Sequence, residues 1–191
     1  MDAPIEVLAP HCRLRLVRED DAGFVVAARQ DPGRSRFLHA VADDVEQQRE
    51  WIRGSLERTA AGTEYYFVAE APADGGLRPF GLVRLSDVTA DSFVFGSWVT
   101  VPDSPVAVGI ESYFASIDFG FGALGCGRYF AEVRHGNARA MAFHHRMNSR
   151  MTGVTDECEQ YEQTLARYLE ARRRYRRYVL GDELPPRRPG R

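Results

Sequence analysis

The chain contains no lysine; all 25 of its Lys/Arg positions are arginine. Schiff-base catalysis and the phosphate-binding lysine of a P-loop nucleotidase are thereby excluded. We read this absence as the drift of a GC-rich genome, not as a functional device. Cysteine is scarce. Cys12, Cys126 and Cys158 are isolated and odd in number, which speaks against a disulfide framework or a cysteine zinc site and fits a reducing cytoplasm. No histidine–carboxylate group has ligand spacing, so no metal is expected. No apolar run approaches a bilayer span. The first ten residues carry Asp2 and Glu6 and lack the basic start and long apolar stretch of a secretory signal. A net charge of −2 gives the molecule no general pull toward nucleic acid.

What is present suits a folded domain. The 191 residues are 44% hydrophobic and 27% charged, enough for one ordinary core. Residues 1–10 read as an N-terminal tail, 11–180 as the domain, and 181–191, with its Pro185-Pro186-Arg187-Arg188-Pro189, as a flexible tail. Arg13–Val17 alternates charged and apolar residues, as a half-buried strand does. Asp20 or Asp21 caps a helix to about Arg29, and Asp43-Asp44 opens another that ends near Ala61-Gly62. Tyr65–Ala69 and Pro79–Leu85 are strands joined by a turn at Ala73-Asp74-Gly75-Gly76.

The most informative stretch is Phe93–Asn148. A strand over Phe93–Val101 leads through a Pro102–Gly109 turn into a helix over Ile110–Leu124. Arg128–Arg134 is the next strand, and Asn137 opens the next helix. A strand feeding a helix start sets backbone N–H groups where an anion can sit. Met151–Asp156 and Cys158–Thr164 read as closing strands. Leu165–Val179 reads as a helix with Tyr168, Leu169 and Tyr175 on one side and Arg167, Arg173 and Arg174 on the other. That arginine face reads as solvated, since Glu170 shares the helix and no RNA-binding motif accompanies it.

The element order β-α-α-β-β-β-α-β-α, with Ile117–Gly125 as the end of a central helix and Asn137–His144 as the start of the next, resembles the GCN5-related N-acetyltransferase (GNAT) superfamily. The RimJ/RimL-like branch is the most similar. The resemblance spans about residues 11–164. It implies an α/β fold whose mixed, mostly antiparallel, twisted sheet is splayed at its two central strands and flanked by helices. It also implies acetyl-CoA as co-substrate and a small amine as acceptor: an amino sugar nucleotide, an amino acid or an antibiotic-like metabolite. No nucleic acid or membrane partner is implied, and a homodimer through the C-terminal helix or a sheet edge is compatible with it.

Carried over residue by residue, the resemblance gives the pantetheine arm the backbone of Trp98, Val99 and Val101. It gives the pyrophosphate the N–H groups of Ser104, Val106, Ala107, Val108 and Gly109, and it gives Asn137 a hold on the pantetheine or the strand end. His144, seven residues after Asn137, takes the place of the general acid. For the general base, Glu132 is named first, ahead of Glu70 and Asp87. The 104–109 loop departs from the family's glycine-rich pattern: Pro105 has no N–H, and Val106 and Val108 are β-branched. Two other readings therefore stand beside the first. One is a GNAT-like enzyme using a carrier-bound acyl or aminoacyl donor; the other is a non-catalytic binding module.

Overall fold

In the computed structural model, which describes residues 4–33, 35–38 and 41–188, two of the helices begin on a side chain that satisfies their first N–H groups. Helix α2 (Val45–Ala60) starts on Asp44, whose carboxylate accepts from the N–H groups of Glu46 and Gln47 at 2.9 and 3.0 Å. Helix α1 (Ala22–Gln30) follows a short 3-10 turn at Glu19–Asp21. The hairpin strands β3 (Tyr65–Ala73) and β4 (Gly76–Ser86) reach farther than the aromatic run alone suggests, leaving Asp74-Gly75 as the turn. Gly75 and Gly76 take φ of 89° and 139°, which glycine adopts without a steric cost.

Other elements also differ from the sequence expectation; the last helix, for one, ends at Arg174 and gives way to a 3-10 turn at Arg176–Tyr178. Residues 6–8, read as part of a tail, form edge strand β1 (Glu6–Leu8) against β2 (Arg13–Leu16). Helix α3 (Val106–Asp118) starts directly after Pro105, four residues earlier than expected, and runs into a π-turn at Phe119–Ala123. The two early valines delay the helical signal in the sequence. Gly120 is required where the π-turn crosses the sheet: a Cβ there would stand 2.4 Å from the Phe93 ring.

The remaining elements are β5 (Ser92–Thr100), β6 (Arg128–Arg134), α4 (Ala138–Arg146), β7 (Arg150–Val154), β8 (Cys158–Thr164) and α5 (Leu165–Arg174). The sheet order is β1-β2-β3-β4-β5-β6-β8-β7. Every neighbouring pair is antiparallel except β5 and β6, which are parallel. One face packs Phe93, Phe95 and Tyr129 against Tyr113, Phe114 and Ile117 of α3, with Phe143 of α4 and Tyr168 of α5 beside them. The other packs Tyr66, Val68, Leu82 and Val99 against α1 and α2.

Residues 181–188 lie against this body. Arg172 donates to the carbonyls of Gly181, Asp182 and Glu183 at 3.2, 3.0 and 3.3 Å, and Arg188 N–H donates to Ala123 at 2.9 Å. Residues 189–191 of the expected tail, like residues 1–3, lie outside the described residues. Cys12, Cys126 and Cys158 are thiols, not disulfides. Among the described residues no helix is long and apolar enough to cross a membrane.

Candidate active site

The central strands part. Strand β5 pairs with β6 only through Ser92↔Arg128, Phe93↔Tyr129 and Val94↔Phe130. Beyond Val94 and Phe130 the two strands continue without partners in each other. Each keeps its outer neighbour: β5 stays on β4 to Thr100, and β6 stays on β8 to Arg134. The result is a wedge in a sheet that is otherwise closed.

A bulge sits on the β5 arm of the wedge. Arg84 pairs with Gly96 and Leu82 with Val99, so Ser97 and Trp98 together oppose the single residue Val83. Ser97 has φ 47°, a left-handed backbone for a non-glycine residue. The bulge takes Ser97 and Trp98 out of register with β4. The neighbouring residues stay in the ladder. Val101 N–H donates to Phe80 at 2.9 Å, and the Val99 carbonyl points at β4, 2.9 Å from where a Cβ on Gly81 would stand. Of the three backbone positions the resemblance named, Trp98 lies in the bulge, while Val99 and Val101 direct groups toward β4. Period-2 alternation could have shown that Trp98 and Val99 cannot face the same way; the bulge itself left no mark beyond Gly96.

The start of α3 is tied to this strand. Trp98 Nε1 donates to Ser112 Oγ at 3.1 Å, and that hydroxyl donates to the Gly109 carbonyl at 2.9 Å. Val106 is 93% exposed, so the first turn opens to solvent. Val108 is buried and its N–H donates to the Pro105 carbonyl at 3.0 Å. That leaves Val106 and Ala107 at the open end of the helix, where N–H groups have no intrahelical acceptor. Gly109 is not demanded by space, since a Cβ there would meet Thr100 at an ordinary 3.7 Å. Asp103, a negative charge beside this end, is paired with Arg78, and that partner lowers its carboxyl pKa.

Helix α4 closes the wedge from the α3 side. Asn137 caps it, its side-chain oxygen accepting from Ala140 N–H at 3.2 Å. The cap fixes the helix so that Phe143 meets Trp98 at 4.7 Å and Tyr113 at 4.8 Å between ring centroids. His144 stacks on Tyr161 at 4.9 Å and 19° and lies edge-on to Phe95 at 6.4 Å. Phe95 belongs to one arm, and Tyr161 pairs with Ala131 of the other. His144 thus lies between the two arms, and Asn137 caps the helix that carries it.

His144 is not the charged acid its ordinary pKa would make it. It is only 4% exposed, and burial, with His145 beside it, pushes the imidazole down to about 4. At neutral pH the ring is neutral. Its Nδ1 faces Ser149 Oγ at 3.4 Å, which faces Tyr129 OH at 3.4 Å; Tyr129 bonds Tyr113 OH at 3.0 Å, and Tyr113 donates to Gln163 at 3.0 Å. Apart from His144, no local pattern marks this buried chain, because its members come from α3, β6, the turn before β7, and β8.

The depressed imidazole makes stability depend on pH. An unfolded histidine titrates near pH 6.5, so between there and about 4 the unfolded chain binds a proton that the folded chain does not. The contribution is whole above pH 6.5 and is lost as pH falls, on the order of 3 kcal/mol in total. Urea unfolding at pH 7 and pH 4.5 is expected to show a steeper loss in wild type than in His144→Gln. Parallel losses would contradict this burial.

Glu132 lies on the other face. It alternates with buried Ala131 and Val133, is exposed, and accepts from Gln160 Nε2 at 3.0 Å. It stands two residues beyond Phe130, as Gly96 stands two beyond Val94, so it flanks the mouth of the wedge on the α1/α2 side. Glu70 and Asp87 are not brought to the wedge. Glu70 is bound by Arg13 and Arg15, and Asp87 follows the end of β4. A cavity of about 630 Å3 between β1 and residues 180–188 shares no residue with the wedge.

Comparison with known proteins agrees with this geometry. The family described as an acetyltransferase (GNAT) domain matches residues 11–150. No curated protein sequence matches the chain. Among solved structures, apo FdhC, described as a nucleotide-linked sugar GNAT, superposes with a TM-score of 0.83 at 30% identity, covering 93% of this chain and 100% of its own. RimJ of Mycobacterium smegmatis, in complex with CoA-disulfide, gives 0.74 at 19% identity over 93% and 98% of the two chains. Spermidine N-acetyltransferase of Vibrio cholerae, in complex with CoA and spermine, gives 0.69 at 14% over 83% and 98%. The last two bear on the fold alone.

Proposed function

The chain belongs to the GNAT acetyltransferase family, and from that premise we propose that it moves an acetyl group from acetyl-CoA to the amino group of a small metabolite in the cytoplasm. A nucleotide-linked amino sugar is the acceptor class we favour, on the strength of the 30% identical relative described as acting on one. The observation that carries the reading is the parting of β5 and β6 after three residue pairs. A bulge on one arm and a helix start at its end give the wedge the features a thioester with a phosphorylated tail needs.

In this reading the out-of-register backbone at Ser97-Trp98 polarises the thioester oxygen. Trp98 lines the pantetheine path, and the amide NH2 of Asn137 holds the arm from the other side. The N–H groups of Val106 and Ala107, with Ser104 beside them, receive the pyrophosphate at the positive end of α3. The amine nitrogen bonds to the carbonyl carbon, the C–S bond breaks, nitrogen gives up one proton, and CoA leaves as a thiolate that takes its proton from solvent. Glu132, at the mouth on the acceptor face, takes the proton from nitrogen. Neutral His144, with Nδ1 on Ser149, offers its other nitrogen to the sulfur as a hydrogen-bond donor. It acts through an N–H bond and not as an imidazolium.

Acetyl-CoA at 100 times its Kd is expected to add about 2.7 kcal/mol of stability, read as a rise in melting temperature. No shift at millimolar acetyl-CoA would defeat the proposal in its acetyl-CoA form and favour a carrier-bound donor or a non-catalytic role.

A further inference from the structure

One row of side chains crosses the sheet on the α1/α2 face and ends at the bulge. Tyr66 of β3 is the register partner of Arg84 of β4, and Arg84 is the partner of Gly96 of β5. Beside Gly96, Ser97 Oγ accepts from Arg29 Nη1 of α1 at 3.1 Å. Trp51 of α2 covers the row. Its ring meets Tyr66 edge-on at 5.5 Å, with the guanidiniums of Arg58 and Arg84 at 5.3 and 5.6 Å. Arg58 and Arg84 share one carboxylate: Glu64 accepts from Arg58 Nε at 3.1 Å and lies 4.0 Å from Arg84 Nε.

The second observation is Tyr66 itself. It is 1% exposed, and its hydroxyl, which the Arg29 guanidinium acts on, finds no acceptor for its own proton. Burial raises its pKa, against the pull of Arg29 and Arg84, so the group is an O–H donor at neutral pH. A buried donor left unmet asks for an explanation. Here it lies among guanidiniums, where the complementary ligand is an oxyanion with several lone pairs.

We propose that Tyr66, Arg84 and Arg29 receive a phosphoryl group of the acceptor, so that the amine acylated by this protein is a phosphate- or diphosphate-bearing one. The proposal rests on the acyltransferase reading, because the Arg29–Ser97 bond is what sets the anion beside the polarising backbone. It goes beyond that reading by assigning the residues that select the acceptor. A sugar phosphate and a nucleotide-linked sugar offer the same phosphoryl chemistry, and the test separates them.

Uridine diphosphate, inorganic pyrophosphate and glucosamine 6-phosphate are titrated calorimetrically into wild type, Arg84→Gln and Tyr66→Phe, with the acetyl-CoA melting shift measured alongside. Submillimolar binding of at least one probe is expected. It should weaken tenfold or more in Arg84→Gln and severalfold in Tyr66→Phe, with the acetyl-CoA shift kept. Preference for uridine diphosphate over pyrophosphate would assign the nucleotide-linked class, and preference for glucosamine 6-phosphate the sugar phosphate class. Tyr66→Phe removes only the unmet hydroxyl, so it should fold at least as stably as wild type. Weaker phosphoryl binding in a protein of equal or greater stability is a result a packing role would not give. The proposal is overturned if wild type binds none of the probes, or binds them equally in both variants, while acetyl-CoA still shifts the melting point. Probe binding that responds to both variants in a protein indifferent to acetyl-CoA would instead remove the acyltransferase reading and leave the anion site standing.

Discussion

Replacing Arg172 with alanine is expected to cost about 3–5 kcal/mol of stability, the range for breaking a buried ion pair by removing one partner. Arg172 and Asp118 are 4% and 7% exposed. Two guanidinium nitrogens meet the carboxylate at 2.9 and 3.1 Å, and Tyr168 OH donates to it at 2.7 Å. Burial still raises the Asp118 pKa against those bonds. Without Arg172, the carboxylate would be left in the same apolar surroundings with Tyr168 as its main donor. The cost should be greatest at neutral pH, where Asp118 must be charged, and should shrink on acidification as it takes up a proton. The double variant Asp118→Leu/Arg172→Met should recover most of the loss, since replacing both members with apolar groups removes the unpaired charge.

The same substitution separates two roles of one side chain. Arg172 also holds three carbonyls of residues 181–183. The double variant restores the core but not those bonds. Limited proteolysis is therefore expected to cut near residues 181–188 faster in both variants, while urea stability recovers only in the double. Equal protection of that segment in wild type and double variant would show that Arg172 does not hold it.

Val106→Glu is expected to raise the acetyl-CoA KM ten- to a hundredfold without harming the fold. Val106 is 93% exposed at the first position of α3, so no packing is lost. A carboxylate at a helix N-terminus stabilises it by about 0.3–1 kcal/mol. The same charge about 5 Å from a bound phosphate costs about 1–3 kcal/mol at an effective dielectric between that of the protein surface and water, and each 1.4 kcal/mol is a factor of ten. Stability and affinity should move in opposite directions. Val106→Arg should reverse both signs. A KM unchanged by either substitution would place the pyrophosphate elsewhere.

Much of the fold can be read from local pattern. The alternation in Arg13–Leu16, the cap at Asp44 and the aromatic run from Tyr65 each obey a rule that acts over a few residues. The helix start at Asn137 likewise follows from a local rule, because one cap fixes one short helix. What the pattern hides depends on distant partners. The neutrality of His144 comes from burial beside Tyr161, seventeen residues away on strand β8. The bulge at Ser97-Trp98 exists only relative to β4, and Arg29 reaches Ser97 across 68 residues of sequence. The start of α3 was obscured locally: Pro105-Val106-Ala107-Val108 has the composition of an extended segment. Yet proline fits the entry of a helix.

The measurement that bears most directly on this account is a crystal structure grown with CoA. The account predicts continuous density between the two arms, beside Trp98 on one and Ala131–Val133 on the other, with the diphosphate at Val106 and Ala107 and the sulfur end beneath His144. Density for CoA at any other place on the molecule, or β5 and β6 paired along their full length around an empty centre, would contradict it.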